Sequence, residues 1–357
     1  MDYPKIIDSG LWKEGHVQGI AVDTKKGFVY YSFTTILLKT DMMGNPIGSA
    51  IKLAGHLGCI TFCEDDGNVY GSLELKHDEI GMGIINRTGW NPSEEDSFYL
   101  VRFDVNKITE MNMDSETDGI MTAVYLRDVV KDYNDEDEIS GKKHRYGCSG
   151  IDGTAYGPVF GAPADSKKKF MVAYGIYSNI DRGDNDYQVI LQYDPSVFEK
   201  YALPLNQENP HHSGPDSCEE KYFLYTGNTT FGIQNIEYDA FSRNWIISVY
   251  KGKKETFTNF PLFVCDGKAP AHEGELVGRN GETGKILSLA SLGQKSDKNE
   301  LMGSFFPYGS TGIASLGDGY FYFSVPYEKR EEKVGFFGSK VSLYKYSPET
   351  EDLFELI

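Results

Sequence analysis

His16 and His56 each stand four residues ahead of an isoleucine, Ile20 and Ile60, in similar local settings. Such a pair suits proton transfer or metal ligation, because imidazole titrates near neutrality and binds zinc-type ions. The competing assignment is two hydrogen-bonded residues that close neighbouring loops. Glu74, after Ser72-Leu73 at the end of an apolar run, is the carboxylate best placed for acid or base work, with a structural salt bridge as its alternative. Asp186 and Gln188 alternate along a strand and share one face, for ligand contact or a turn cap. His16, His56, Glu74 and Asp186 are therefore the catalytic candidates.

Other patterns fail. Asp132-Tyr133-Asn134-Asp135-Glu136-Asp137 lacks the sixth-position glycine of a calcium loop, and Gly81-Met82-Gly83 lacks the third glycine of a nucleotide fingerprint. Cys59 and Cys63 have no second pair to complete a zinc set. No metal site is assigned, and the cofactor stays unknown. Lys142-Lys143-His144-Arg145 can meet a carboxylate or phosphate, or balance the acidic run at 132–138; His211-His212-Ser213 is a Pro-flanked loop.

Composition sets the bounds. The 357 residues are 40% hydrophobic and 25% charged, enough apolar material for a core and too much for disorder. A net charge of −18, from 35 basic and 53 acidic residues, argues against a nucleic-acid or anionic-membrane binder, though not against a local basic pocket. Apolar runs fall short of the roughly 20 residues that span a bilayer. No apolar segment follows Met1-Asp2-Tyr3-Pro4-Lys5, so no signal peptide is expected. Five cysteines, odd in number and irregularly spaced, point to a reduced, cytoplasmic protein.

The elements that must position these residues repeat. A glycine- and isoleucine-bearing strand, a tight turn and a returning strand begin around Gln18-Gly19-Ile20, Gly58-Cys59-Ile60, Ser149-Gly150-Ile151, Gln234-Asn235-Ile236 and Thr311-Gly312-Ile313. Each is followed by a third strand such as Leu37–Asp41 or Ile190–Asp194, and segments such as Pro46-Ile47-Gly48 and Lys200–Leu203 fit a fourth. Recurring meanders with almost no helical periodicity resemble the β-propeller superfamily over nearly the whole chain. That resemblance implies an all-β domain spanning 1–357 with four-stranded antiparallel blades. Five blades are favoured, with six or seven open if degenerate ones hide at 107–146 or 268–305. Lys5–Trp12 is expected to close the ring.

In that superfamily the start of the inner strand and the end of the second lie on one face of the disc. Carried onto this chain, that face gathers His16 with Gln18, His56, Gln234 with Asn235, Ser310, Glu74 with His77, Tyr174 with Tyr177, and Tyr250 with Lys251. Arg145, Gln188 and His211 join them as binding candidates. Polar groups interleaved with aromatics suit a small carbohydrate: rings stack on sugar C–H faces while amides, carboxylates and imidazoles bond hydroxyls. The expected function is cleavage of a glycosidic bond. A hydrolase would use Glu74 and Asp186 as paired carboxylates, and a uronate lyase a Tyr or His base with a cation, from Tyr174, Tyr250, Lys251 and Arg145. The alternative is a non-catalytic sugar-binding or protein-interaction propeller.

Overall fold

The computed structural model of the chain describes residues 3–53, 55–90, 93–138, 140–183, 187–227, 230–332 and 334–357. Five small sheets stand in a ring, the arrangement of a five-bladed β-propeller. The first sheet runs outward through β2 (Val17–Asp23), β3 (Phe28–Phe33), β4 (Ile36–Asp41), β5 (Pro46–Ile51) and the short β9 (Met113–Asp114). The second comprises β6 (His56–Cys63), β7 (Asn68–Leu75), β8 (Ser97–Phe103) and β10 (Met121–Tyr125). The third, the widest, orders β11 (Gly153–Pro158), β12 (Lys168–Tyr174), β13 (Tyr187–Tyr193), β14 (Glu220–Tyr225), β19 (Thr283–Leu287) and β18 (His272–Glu275). The fourth has β15 (Ile233–Asp239), β16 (Asn244–Val249) and β17 (Leu262–Cys265). The fifth has β22 (Ile313–Gly317), β23 (Tyr320–Glu331) and β24 (Val334–Tyr346), whose outer edge takes both β25 (Phe354–Leu356) and β1 (Ile6–Asp8). Strands β20 (Gln294–Lys295) and β21 (Met302–Gly303) form a separate small hairpin.

The innermost strands β2, β6, β11, β15 and β22 neighbour one another in a closed cycle. Closure is made by β1, which pairs antiparallel with β24 (Ile6↔Ser342, Asp8↔Lys340), and by the Trp12↔Phe337 bridge beyond it. This is the role expected of Lys5–Trp12. Aromatic rings pack the blades together: Tyr30 stacks on Phe62 at 6.3 Å, and Phe160 lies 5.2 Å from the fully buried Trp245. Burying such rings is among the largest contributions a β core makes.

Several expectations need correction. Among the described residues the segments 107–146 and 268–305 build no further blade; they supply β9, β10, β18 and β19 to existing sheets and the separate β20–β21 hairpin. Blades are not uniformly four-stranded, and two outer pairings, β5 with β9 and β14 with β19, are parallel. Lys200–Leu203 is not the fourth strand, because helix α3 (Ser196–Tyr201) follows Pro195 there and β14 takes that place beside β13. Helices α1 (Glu79–Thr88) and α2 (Arg127–Asn134) were not expected either; Asp78 caps α1 by accepting the Gly81 N–H at 2.8 Å. The third inner strand begins at Gly153, two residues after the anchor Ile151. Among the described residues no helix is long and apolar enough to cross a membrane.

Candidate functional site

The inner strands converge on a funnel at one end of the channel, with a cavity of about 60 Å³ bordered by His16, Gln18, His56, Glu74, Asp152 and Gln234 together with Lys76, Tyr177 and Tyr250. Local irregularity aims two of these groups. Gln18 and Gln234 are each the extra residue of a β-bulge, between Val17 and Gly19 and between Ile233 and Asn235. A bulge turns a side chain that regular pleating would send elsewhere. Gln18 Nε2 thereby lies 3.0 Å from His16 Nε2, and Gln234 Nε2 donates to Asp152 Oδ2 at 3.1 Å.

Glu74 is fully engaged. Its Oε1 meets Lys76 Nζ at 2.8 Å and His56 Nδ1 at 3.3 Å, and its Oε2 accepts the Ile151 N–H at 2.9 Å. Lys76 also donates to the Ser149 carbonyl at 2.7 Å and reaches Asp78 at 3.3 Å. Burial opposes the charge on Glu74, but Lys76 and His56 outweigh it and hold the carboxyl below its ordinary value. Burial opposes the Lys76 ammonium too, but Glu74, Asp78 and Asp152 hold it above its own ordinary value. Gly150 makes the arrangement possible: at φ 120° a Cβ there would stand 2.1 Å from Glu74 Oε2.

Asp152 behaves oppositely. Burial and the adjacent Glu74 charge push its carboxyl up to about 6, against the lowering effect of His56, Lys76 and Gln234. Its Oδ1 is buried without a hydrogen-bond partner among the described residues, His56 Nδ1 being 3.9 Å away. His16 is shifted down to about 4 by enclosure, by His56 and by the Arg87 guanidinium; solvent at its exposed rim edge moderates that shift. Tyr250 O–H lies 3.4 Å from His16 Nε2, so that nitrogen faces two donors and is the acceptor of the ring.

Donor atoms of His56, Glu74 and Asp152 lie within 4.8 Å of one another, a set able to hold a metal ion. Lys76 already places a positive charge on Glu74 within it. Above the funnel opens a cup of about 640 Å³ walled by Tyr177, Phe231, Tyr250, Tyr327 and Phe337, with Lys251 and Lys253 at its edge. Phe231 packs edge-to-face on both Tyr177 and Tyr250, at 5.4 and 5.6 Å. Burial, with Asp152 nearby, keeps both tyrosine hydroxyls protonated.

No family model and no curated protein matches the chain.

Of the residues singled out from sequence, His16, Gln18, His56, Glu74, Tyr177, Gln234 and Tyr250 line the funnel, and Lys251 the cup. Tyr174 borders the funnel but turns its hydroxyl into the core, donating to Asp132 on α2. Asn235 sits at the channel wall as a staple, donating to the Gln18 and Ser310 carbonyls at 2.8 and 3.1 Å; Ser310 contributes only that carbonyl. Gln188 braces two blades, donating to Thr226 Oγ1 and accepting the Ile233 N–H. Three residues sit away from the funnel lining. His77 is tied to Asp96 at 3.0 Å, Arg145 to Glu282 at 2.9 Å, and His211 packs against Tyr99, whose hydroxyl bonds its carbonyl. Asp186 lies outside the described residues. Sequence reasoning missed Lys76 and Asp152. The signal for Lys76 was its two-residue spacing from Glu74, which puts both on one face.

The other end of the channel holds a separate pocket of about 240 Å³ containing Glu237. Burial, with Asp239 and Glu64 nearby, pushes this carboxyl up to about 8 against the Ser315 N–H it accepts at 2.9 Å. A carboxyl raised on folding contributes stability fully present below about pH 4.5 and lost as pH rises toward 8. Glu237→Gln is therefore expected to leave stability at pH 4 unchanged and to raise it by about 2–4 kcal/mol at pH 9. Urea unfolding midpoints across that range measure it; parallel curves for the two proteins would contradict the assignment.

Proposed function

We propose that the protein cleaves a glycosidic bond of a small carbohydrate at the central funnel, with Asp152 as proton donor and His16 as the base that activates water. The observation that carries this reading is a solvent-reachable carboxyl, Asp152, at the foot of an aromatic-walled cup, beside a glutamate already committed as a fixed anion. Asp152 gives its proton to the glycosidic oxygen as the bond from that oxygen to the anomeric carbon breaks. The water oxygen bonds to the anomeric carbon and passes a proton to His16 Nε2. Exchange with solvent then restores both groups.

The roles follow from environment. Two titratable groups displaced in opposite directions are what an acid–base pair requires. Asp152 is protonated below about pH 6, and His16 is neutral above about pH 4. kcat/KM is therefore expected to follow a bell whose alkaline limb falls near pH 6 and whose acid limb lies at or above about pH 4. This pair differs from the Glu74–Asp186 carboxylates expected from sequence, because Glu74 is buried with both oxygens occupied.

Elimination is less well supported: Tyr177 and Tyr250 are held protonated, which suits an acid and not a base, and Arg145 is paired to Glu282 outside the funnel. A lectin with one pocket per blade is disfavoured by the difference between residues at corresponding strand ends, Thr34, Glu74, Tyr174, Tyr250 and Tyr327. Five free thiols, four of them buried, support placement in a reducing compartment such as the cytoplasm. The test is a panel of neutral and uronate-containing oligosaccharides followed by reducing ends and absorbance at 235 nm. New reducing ends without absorbance support hydrolysis. An unsaturated product selects the lyase, and binding without turnover on the whole panel removes the enzyme reading.

A further inference from the structure

We propose that the funnel admits only the end of a glycan chain, so that the protein releases terminal residues and does not cut internally. This rests on the glycosidic reading of the same site and adds its mode of action.

The channel is shut at mid-height by the inner strands themselves. A Cβ on Gly19 would lie 2.8 Å from the Ile60 nitrogen, and one on Gly312 2.9 Å from the Ile20 nitrogen. Only glycine tolerates so close an approach between neighbouring inner strands. Across the axis, β15 contacts both β6 and β2, which are not its neighbours in the ring, and Asn235 Nδ2 donates to the Gln18 carbonyl at 2.8 Å, so the inner strands close over the channel. Hydrogen bonds between neighbouring blades fix the strands at this level. The Cys59 N–H donates to the Asp152 carbonyl at 2.8 Å, Ser72 Oγ donates to that carbonyl at 2.9 Å, and Ser32 Oγ donates to the Gly58 carbonyl at 2.6 Å. The pocket at the Glu237 end is therefore a different compartment, and whatever reaches Asp152 enters and leaves by one mouth.

Size sharpens the point. The funnel's 60 Å³ is about a tenth of the 640 Å³ cup above it. A chain lying across the mouth keeps all its linkages in the cup, above the proton donor. Only a terminal residue can lower its bond toward Asp152 while the remainder rests on Tyr250, Tyr327 and Phe337. On the other side stand Ile80 and Tyr177, and beyond them a basin bearing Asp78, Glu79 and Asp181.

The experiment uses the full chain and linear tri- and tetrasaccharides of the α-1,4 and β-1,4 series, neutral and uronate-containing. Each is supplied free, as the reducing-end alditol, with a bulky acetal on the non-reducing end, blocked at both ends, and as a cyclic counterpart where one exists. Products are resolved by chromatography, and binding to the Asp152→Asn protein is measured by calorimetry. A single terminal product, with one end-block weakening binding at least tenfold and the other tolerated, supports the proposal. Tyr327→Ala is expected to weaken trisaccharide binding several-fold while leaving monosaccharide binding unchanged. Cleavage of doubly blocked or cyclic chains overturns the proposal while the glycosidic reading stands. If no saccharide in any form is bound or cleaved, that reading itself fails and takes this one with it.

Discussion

Asp152→Asn is expected to lower kcat by about 10²–10⁴-fold, the range over which a positioned general acid contributes, with KM changed by less than threefold. The amide preserves the shape and the contact to Gln234 but has no proton to release at an ordinary pH. Loss of the acid should also remove the alkaline limb of the bell, since that limb is the ionisation of Asp152 from about 6 upward. A leaving group that needs no protonation, such as a nitrophenolate, should recover much of the lost rate. A structural role for Asp152 would show neither effect. Full activity in Asp152→Asn, or an alkaline limb that persists unchanged, would sink the assignment.

Lys76→Met is expected to destabilise the folded protein by about 3–5 kcal/mol, because it leaves the Glu74 anion buried without its countercharge. The side chains of Glu74 and Lys76 are only 3% and 6% exposed, so solvent cannot take the place of the lost ammonium. Converting Glu74 to Gln in the same protein removes the orphaned charge, and the double variant should regain most of the stability. Denaturant unfolding of the two single variants and the double variant gives the coupling directly. Additive losses would mean that the pair contributes through packing alone.

How much of this could be seen in the chain depends on which physical signal each residue carried. The ring was legible because small inner strands must recur wherever blades crowd an axis; Gly19, Gly58 and Gly312 mark that crowding and the structure places them at the pinch. His16, His56, Glu74 and Gln234 converge because strand ends on one face of a ring must meet. Asp152 was overlooked because Ile151 read as a mid-strand anchor. With the strand starting at Gly153, the aspartate falls at the rim level of His56 instead. Tyr174 looked like a rim residue because no local pattern announces that Asp132, forty-two residues earlier on α2, comes back to take its hydroxyl. Arg145 and His211 were drawn to the site by loop length, which measures how far a segment can travel but not in which direction. Their partners, Glu282 and Tyr99, hold them away from the funnel lining.

The seam where Ile6–Asp8 lies along Lys340–Ser342 imposes an order on assembly. A ribosome emits the first of these segments long before the last, so the earliest strand waits unpartnered while nearly the whole chain is made. Until then the growing disc is an open arc with a bare edge at each end, and such edges invite pairing with other chains. The mouth cannot take its final shape before that seam zips, because His16 and Tyr327, which wall the same cup, stand on the two blades it joins. Competence to bind would thus arrive late and all at once, in the moment the circle shuts.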